Sequence, residues 1–337
     1  MGRAAVRLPN LVHSTMTKAT TGSTLDVVTF GETMVLFAPG ERERLEFAPS
    51  CHASIGGAES NCAIGLARLG HSVSWISRLG FDPFGSRVLK TLRGECVNVS
   101  RVEVSANEPT GIMFKEPGPG NSSRIFYYRR NSAASALRVE AFESLKAKYL
   151  FVTGITPALS DSNRALTFEL VDRFRAAGSK VVFDPNMRFR LWSAEQARPV
   201  FLELAKKCDI LVPSLTEAEI LTGFTEHEHS SMLDGLRSLG PSQVILKAGD
   251  KGAWYADGEE RGFCACFPAK EVDPVGAGDA FCAGLISGLL DGCSFPESIT
   301  RGAALGAFCV STFGDYQGLP DRVTLEAFIA GKQVHGR

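Results

Sequence analysis

The sequence predicts an α/β protein with a mostly parallel sheet covered by helices on both faces. Short apolar runs typical of strands alternate with longer helical patterns along most of the 337 residues. The runs are apolar on consecutive positions, as in strands that are buried on both faces. Two segments, at about 34–56 and 108–131, contain strands and turns and break this alternation. We expect these two segments to leave the main sheet together as a small β-lid.

Individual elements have local support in the sequence. Asp82 before Pro83 is typical of an N-cap followed by a first helical turn, and Gly178 follows the last periodic residue of another helix. The predicted strands are 27–30, 73–76, 149–152, 180–183, 210–212 and 243–247. The predicted helices are 58–69, 83–93, 161–177, 195–207 and 231–239. Together they predict one domain over residues 26–330.

Composition is typical of a cytoplasmic enzyme. The 36 basic and 37 acidic residues give a formal charge of −1, so no nucleic-acid partner is expected. No apolar run approaches the roughly 20 residues of a membrane helix, so no membrane partner is expected either. The nine cysteines are scattered and never spaced as CxxC, which favours free thiols in a reducing compartment.

Residues 1–25 are expected to form a flexible N-terminal tail. They contain no Asp or Glu, are rich in Ser and Thr, and lack the continuous apolar core of a secretory signal. A disordered extension, or a true start at Met16, is favoured over an organelle transit peptide.

The most informative motif is Asp273-Pro-Val-Gly-Ala-Gly-Asp-Ala-Phe-Cys-Ala-Gly284. Gly276, Ala277 and Gly278 are small enough for backbone N–H groups to converge on an anion at the start of a helix, which predicts a phosphate site. A carboxylate is not needed to bind phosphate, so Asp279 is interpreted as a general base that deprotonates an attacking hydroxyl. The alternative is a glycine-rich turn whose aspartate only stabilises its helix. The full twelve-residue run favours the catalytic interpretation.

A second motif is Gly56-Gly-Ala-Glu-Ser-Asn61 before a helical pattern. Gly56 and Gly57 allow a ligand to approach the backbone, and Asn61 offers both a donor and an acceptor. Taken alone, this pattern is as compatible with packing as with binding.

These motifs resemble the signatures of the ribokinase-like (PfkB) sugar kinases over residues 27–328. The segments that carry the resemblance are 56–70, 80–85 and 273–284. The resemblance implies a three-layer α/β/α core with a sheet of about nine strands, a β-lid and ATP-dependent phosphorylation of a sugar hydroxyl. It makes Asp279 the base and the 276–278 amides the anion hole. The sequence has neither a P-loop nor a complete dinucleotide-binding fingerprint, so a dehydrogenase is not expected.

The resemblance also implies where ATP and Mg²⁺ bind. Ser214-Leu-Thr-Glu217 stands where the family shows Asn-x-x-Glu, so Ser214 departs from the pattern, and Glu217 is expected to orient Mg²⁺ through water. Two alanines, Ala303 and Ala307, are candidate adenine neighbours, with simple packing as the alternative. The residues expected at the ATP phosphates are Lys247, Gly249, Lys251 and Gly252.

Arginines in the expected sugar pocket predict an acidic substrate. Arg124 and Arg129 bracket three aromatic residues, and Arg188 follows a predicted buried strand. An unpaired buried charge is costly, and arginine is well shaped to hold a carboxylate with two hydrogen bonds. The alternative is that these arginines lie on the lid surface and pair with local acids.

A closer resemblance is to the 2-keto-3-deoxygluconate kinases. It rests on the segments 126–129, 132–137, 154–159, 184–188 and 191–192. By this resemblance Tyr127, Arg129 and Arg188 hold the carboxylate and open-chain hydroxyls of the substrate, and Asp315 is a further candidate contact. Met113 departs from relatives that place a tyrosine on the ligand there.

The sequence therefore predicts a kinase that phosphorylates the 6-hydroxyl of 2-keto-3-deoxygluconate. The alternatives are a fructokinase, a 5-dehydro-2-deoxygluconate kinase and a noncatalytic binding protein of the same fold. An exposed lid strand can also pair with its twin, so a homodimer through the β-lid is a further expectation.

Overall fold

The computed structural model describes residues 24–40, 43–118, 123–225 and 228–332. The strands are β1 Leu25–Phe30, β2 Met34–Ala38, β3 His52–Gly56, β4 Val73–Ile76, β5 Arg78–Gly80, β6 Glu103–Ser105, β7 Ile112–Pro117, β8 Ser123–Tyr128, β9 Ala147–Thr153, β10 Lys180–Asp184, β11 Ile210–Leu211, β12 Gln243–Lys247, β13 Ala253–Asp257 and β14 Glu260–Cys264. The helices are α1 Ala58–Arg68, α2 Pro83–Gly94, α3 Thr156–Leu159, α4 Asp161–Ala176, α5 Ala194–Ala205, α6 Leu215–Thr222, α7 His229–Ser238, α8 Ala277–Leu290, α9 Phe295–Val310 and α10 Arg322–Ile329.

The main sheet has eight strands in the spatial order β14-β13-β12-β11-β10-β9-β1-β4. The six strands from β12 to β4 are parallel, and β13 and β14 add an antiparallel edge. The predicted mostly parallel sheet is therefore confirmed. All parallel strands end at the same edge, which is where open α/β sheets place their ligands.

Helices cover both faces of this sheet, because the strand side chains alternate between two apolar clusters. Val27 packs in the cluster that contains α1, α2, α8 and α9, and Val28 packs in the cluster of α4–α7. Both valines are fully buried. This arrangement gives the three α/β/α layers and explains why the strand sequences are apolar at consecutive positions.

Helices α8 and α9 pack with their backbones very close together. A Cβ atom on Gly284 would lie 2.6 Å from the carbonyl oxygen of Arg301. A glycine at this position lets α8 lie directly against α9, and α9 thereby fixes the position of the helix that begins within the glycine-rich 273–284 motif.

A second, four-stranded sheet has the order β3-β2-β7-β8, and we call it the β-lid. It draws on both segments that break the sequence alternation, as expected for a smaller separate sheet. Met34, Leu36 and Met113 form an apolar cluster on one side of it, together with Ile125 and Tyr127.

Two expectations about extent need correction. Among the described residues the main sheet has eight strands, whereas the resemblance implied about nine. Next to β4, Asn98 forms only an isolated bridge to Ser74 because the chain then enters a turn, so no ninth strand forms there. Leu25 already belongs to β1, whereas the expected tail reached residue 25. The rest of that tail, residues 1–23, lies outside the described residues. Among the described helices, none combines the length and apolar character needed to span a bilayer.

Candidate active site

A cavity of about 1030 Å³ lies over the carboxyl ends of the parallel strands, next to the β-lid. With one exception, every residue that the two motifs and the family resemblance assigned to the site lines this cavity. The lining residues are Gly56, Gly57, Asn61, Tyr127, Arg129, Arg188, Ser214, Glu217, Lys247, Gly249, Gly252, Gly276, Ala277, Gly278, Asp279, Ala303, Ala307 and Asp315. The exception is Lys251, which is exposed on a short 3-10 turn, so its expected place at the ATP phosphates is not supported.

Asp279 lies in the first turn of α8 and is 5% exposed. Its two carboxylate oxygens accept hydrogen bonds from different side chains: Asn61 Nδ2 donates at 2.8 Å and Asn186 Nδ2 at 3.1 Å. Asn61 comes from α1 and Asn186 follows β10. The carboxylate is thus held in one orientation by two elements that are distant in sequence.

The start of α8 is open toward the cavity. No side chain in the described part of the chain caps this helix, and its N-cap residue, Gly276, has a φ of 86° in the left-handed region. A Cβ atom on Gly276 would also lie 2.2 Å from the carbonyl oxygen of Asp315, so only glycine fits there. Uncapped N–H groups and the helix dipole make this turn a favourable position for an anion.

Lys247 adds a positive charge beside this turn. Its ammonium forms an ion pair with the fully buried Asp184 at 3.0 Å and lies 3.6 Å from the position of a Cβ atom on Gly278. Burial alone would lower the pKa of Lys247, but the neighbouring Asp184 carboxylate outweighs it and raises the pKa above its ordinary value. Asp184 also accepts from Asn186 Nδ2 at 3.3 Å, which connects Lys247 to Asp279 through one network.

Two further carboxyls lie close to the site with raised pKa values. Burial raises the pKa of Asp315 to about 7, and the Oδ1 atom of this residue has no partner among the described residues. Burial likewise raises the pKa of Glu59 to about 7, although Thr153 and Thr156 donate hydroxyl hydrogen bonds to it at 2.6 and 3.1 Å. Both groups therefore change protonation near neutral pH.

The surroundings of the arginines differ from those that the sequence argument assumed. Arg129 forms an ion pair with buried Glu32, which also accepts from Ser132 Oγ at 2.5 Å. Arg188 is exposed at the cavity wall and forms no ion pair within the described ranges. The cost of an unpaired buried charge thus applies to neither residue, and that argument was wrong. Exposed Arg124 pairs at 3.1 Å with buried Glu116, a local acid, as the alternative interpretation expected.

The Ser214 and Glu217 pair forms a capping box at the start of α6. Ser214 Oγ accepts from the Glu217 amide at 3.3 Å, and Glu217 accepts from the Ser214 amide at 2.7 Å. The second carboxylate oxygen of Glu217 accepts from the Met187 amide at 2.7 Å. Within the described residues no group of three His, Cys, Asp or Glu side chains could ligate a metal. The donor set therefore fits an ion that keeps its waters and binds through phosphates, not a dedicated protein cage.

Several cavity residues were not nominated from the sequence. The buried polar residues among them are Glu32, Lys115, Asp184 and Asn186. Asp184 and Asn186 could have been found, since polar residues directly after a buried parallel strand lie at the sheet edge that binds ligands. Glu32 and Lys115 carry no local signal, because their partners are far away in the chain.

Comparisons with known proteins show the family of the chain. The family model described as "pfkB family carbohydrate kinase" matches residues 24–322. The chain is 40% identical over 317 residues to the 2-dehydro-3-deoxygluconokinase of Bacillus subtilis (strain 168), which covers 92% of this chain and 97% of that protein. The chain therefore belongs to the pfkB family of carbohydrate kinases.

Solved structures support the same fold. The crystal structure of a PfkB protein from Polaromonas sp. JS666 matches with a TM-score of 0.82 and 39% identity, over 90% of this chain and 100% of that chain. The 2-dehydro-3-deoxygluconokinase of Thermotoga maritima matches with a TM-score of 0.85 and 25% identity, over 91% of this chain and 100% of that chain. The expected ribokinase-like architecture is confirmed.

Proposed function

We propose that this protein transfers the γ-phosphoryl group of ATP to the 6-hydroxyl of 2-keto-3-deoxygluconate, also called 2-dehydro-3-deoxygluconate. One observation carries the proposal: Asp279, the open start of α8, and two arginines of separate elements face one cavity. The arginines, Arg129 and Arg188, suit a carboxylate at the end of the sugar remote from the reacting hydroxyl. The Bacillus subtilis relative, a 2-dehydro-3-deoxygluconokinase, supports the same substrate.

Asp279 is the general base. Asn61 and Asn186 hold its carboxylate so that one carboxylate oxygen can accept the proton of the 6-hydroxyl while the hydroxyl oxygen of the sugar attacks the γ-phosphorus. The new bond joins the sugar oxygen to the γ-phosphorus, the bond to the bridging oxygen breaks, and ADP leaves. A loose phosphoryl-transfer transition state requires little basicity, so an ordinary carboxylate is sufficient.

The chain provides positive charge for the migrating phosphoryl group. The amides at Gly276, Ala277 and Gly278 form the anion hole, and Lys247 lies beside them. The ATP site continues to Gly249 and Gly252, with Ala303 and Ala307 on α9 next to the adenine; Ser214 lies at its edge. When bound with ATP, Mg²⁺ would neutralise phosphate oxygens, and Glu217 would hold its waters.

The sugar acid occupies the side of the cavity next to the β-lid. Tyr127, Arg129 and Arg188 bind its carboxylate and neighbouring oxygens. Glu32 orients Arg129 before the substrate arrives. At the other end, the backbone of Gly56 and Gly57 and the side chains of Asn61 and Asp315 contact hydroxyl groups.

Replacement of Arg188 tests the carboxylate assignment. Arg188→Leu is expected to lower kcat/KM for 2-keto-3-deoxygluconate by about 10- to 100-fold, the loss of a hydrogen bond to a charged group. Fructose turnover should change little, because fructose has no carboxylate. Arg190→Leu is the matched control, since Arg190 is an exposed arginine outside the cavity lining. Equal losses for both sugars would contradict the assignment.

The rival functions are separated by the acceptor. A coupled assay of ADP release compares 2-keto-3-deoxygluconate with fructose and 5-dehydro-2-deoxygluconate. We expect the highest kcat/KM for 2-keto-3-deoxygluconate; a higher value for either of the others assigns that kinase instead. Absence of turnover with every sugar, with ATP still bound, would favour a noncatalytic binding protein.

The proposal also includes the compartment and the oligomeric state of the enzyme. All nine cysteines are free, which fits the reducing cytoplasm. The outer strands β3 and β8 are the edges of the β-lid, and such an edge can pair with a second copy of the chain. Light scattering after gel filtration would distinguish a dimer from a monomer.

A further inference from the structure

A buried lysine connects the β-lid to the anion-binding loop. Lys115 lies on β7, and its ammonium forms a close ion pair with the carboxylate of Asp273. Both side chains are 2% exposed. The two residues are 158 positions apart, so this contact joins the second sheet to the segment that leads into α8.

Asp273 in turn holds two backbone segments that lie next to the start of α8. One carboxylate oxygen accepts from the Val275 amide at 3.2 Å, and the other accepts from the Gly314 amide at 3.1 Å. Val275 immediately precedes Gly276, and Gly314 immediately precedes Asp315. The backbone of Asp315 is the part of the chain that presses against Gly276. Asp273 therefore holds both the turn that presents the amides and the neighbouring segment at Gly314.

The negative charges around this pair favour a cation at the position of Lys115. Asp273 lies in the same region as Asp279 and Asp315, and the ammonium of Lys115 counters these carboxylates. The ring of Phe313 lies 5.4 Å from the ammonium and covers it. Removal of one partner from a buried ion pair leaves an uncompensated charge, which disturbs the groups around it.

We propose that Lys115 is a positioning residue that couples the β-lid to the anion hole through Asp273. Lys115 keeps the loop at residues 273–278 in the geometry that the migrating phosphoryl group requires, and does not itself bind the sugar acid or ATP. The expected change in kcat rests on the proposed kinase reaction. The expected effect on the position of residues 273–278 does not depend on that reaction.

The kinetic test is Lys115→Ala in the full chain. We expect kcat to fall by about 10- to 100-fold, because small misplacement of a catalytic group costs this much. The KM values for ATP and the sugar acid should change less than about threefold, since the binding residues remain. Lys90→Ala on the exposed face of α2 is the matched control and should keep both kcat and KM. A kcat within about twofold of the unmodified protein would overturn the proposal.

Hydrogen exchange tests the loop without any substrate. The Val275 and Gly314 amides should exchange faster in Lys115→Ala than in the unmodified protein, whereas amides in the core of α4 should not change. Unaltered exchange at both loop amides would overturn the proposal. Inactivity of the unmodified protein would refute the proposed kinase function and leave this exchange result intact.

A charge-free double variant covers the case in which Lys115→Ala does not fold. Lys115→Met combined with Asp273→Asn removes both charges and keeps similar volumes. We expect it to fold but to retain the low kcat, because the ionic connection between lid and loop is lost. A kcat like that of the unmodified protein would show that the connection is not needed, against the proposal.

Discussion

At the residue scale, the proposed chemistry depends most on the orientation of one carboxylate. Asp279 accepts from Asn61 and Asn186, which come from different elements. Asp279→Ala is expected to lower kcat by about 10²- to 10⁴-fold, the usual contribution of a general base. ATP affinity should be largely unchanged, because the amides and Lys247 remain. Rate measurements and calorimetric titration with ATP check both parts.

The isosteric change Asp279→Asn is the control for folding. It preserves the size of the side chain and should show the same loss of kcat with an unchanged melting temperature. Near-normal turnover in either variant would remove Asp279 as the base.

Ionisation of buried Glu59 is expected to make the stability of the fold depend on pH. Burial raises its pKa from 4.5 to about 7, so the fold favours the protonated form. The stabilising contribution is complete below a pH of about 4.5 and is lost as the pH rises toward 7. Glu59→Gln, which cannot ionise, should therefore gain melting temperature relative to the unmodified protein between pH 5 and pH 8. The exposed Glu140→Gln is the control. An identical difference at both pH values would contradict this assignment.

At the element scale, the contact between α8 and α9 determines where the start of α8 lies, which is the proposed anion hole. Gly284→Ala would place a Cβ atom 2.6 Å from the Arg301 carbonyl oxygen, so the helices must separate. We expect a loss of about 1–3 kcal/mol in the free energy of unfolding, as for other overpacked cores. Denaturant unfolding measures it.

Gly94→Ala is the matched change in another helix. Gly94 ends α2, and a Cβ atom there would meet nothing within 4 Å. Alanine should be neutral or slightly stabilising at this position. Similar destabilisation by both changes would mean that backbone contact between α8 and α9 is not the cause.

The elements also show what the sequence could and could not reveal. The alternation of apolar runs and helical patterns predicted the parallel sheet, because burial on both faces leaves a strong local signal. The 273–284 motif predicted the start of α8, because all the residues of this motif are adjacent in the chain. Helix α6 was missed, although Ser214 and Glu217 form a capping box, because Ser214 and Glu217 had been assigned only to the site for ATP and Mg²⁺.

Pairs that are distant in the chain escaped prediction. Lys115 meets Asp273, and Arg129 meets Glu32, only after the two sheets have come together. No local pattern identifies such partners, so the cost of burying the arginines was misjudged. The family resemblance placed Lys251 at the ATP phosphates; this assignment stays a prediction, since Lys251 is exposed on a 3-10 turn outside the cavity lining.

At the scale of the whole molecule, the site exists only between the two sheets. The main sheet supplies the polar residues at its carboxyl edge and, with α8, the anion hole, whereas the β-lid supplies Tyr127 and leads directly into Arg129. A ligand that touches both parts is shielded from water, which favours transfer to sugar over hydrolysis of ATP. The sugar acid should therefore lie with its two ends on different parts of the molecule.

A crystal structure with 2-keto-3-deoxygluconate and a nonhydrolysable ATP analogue tests this account most directly. We expect the γ-phosphate at the amides of Gly276–278, the 6-hydroxyl within hydrogen-bond distance of Asp279, and the carboxylate at Arg129 and Arg188. A triphosphate far from the start of α8, or a sugar acid bound in the opposite direction, would contradict it.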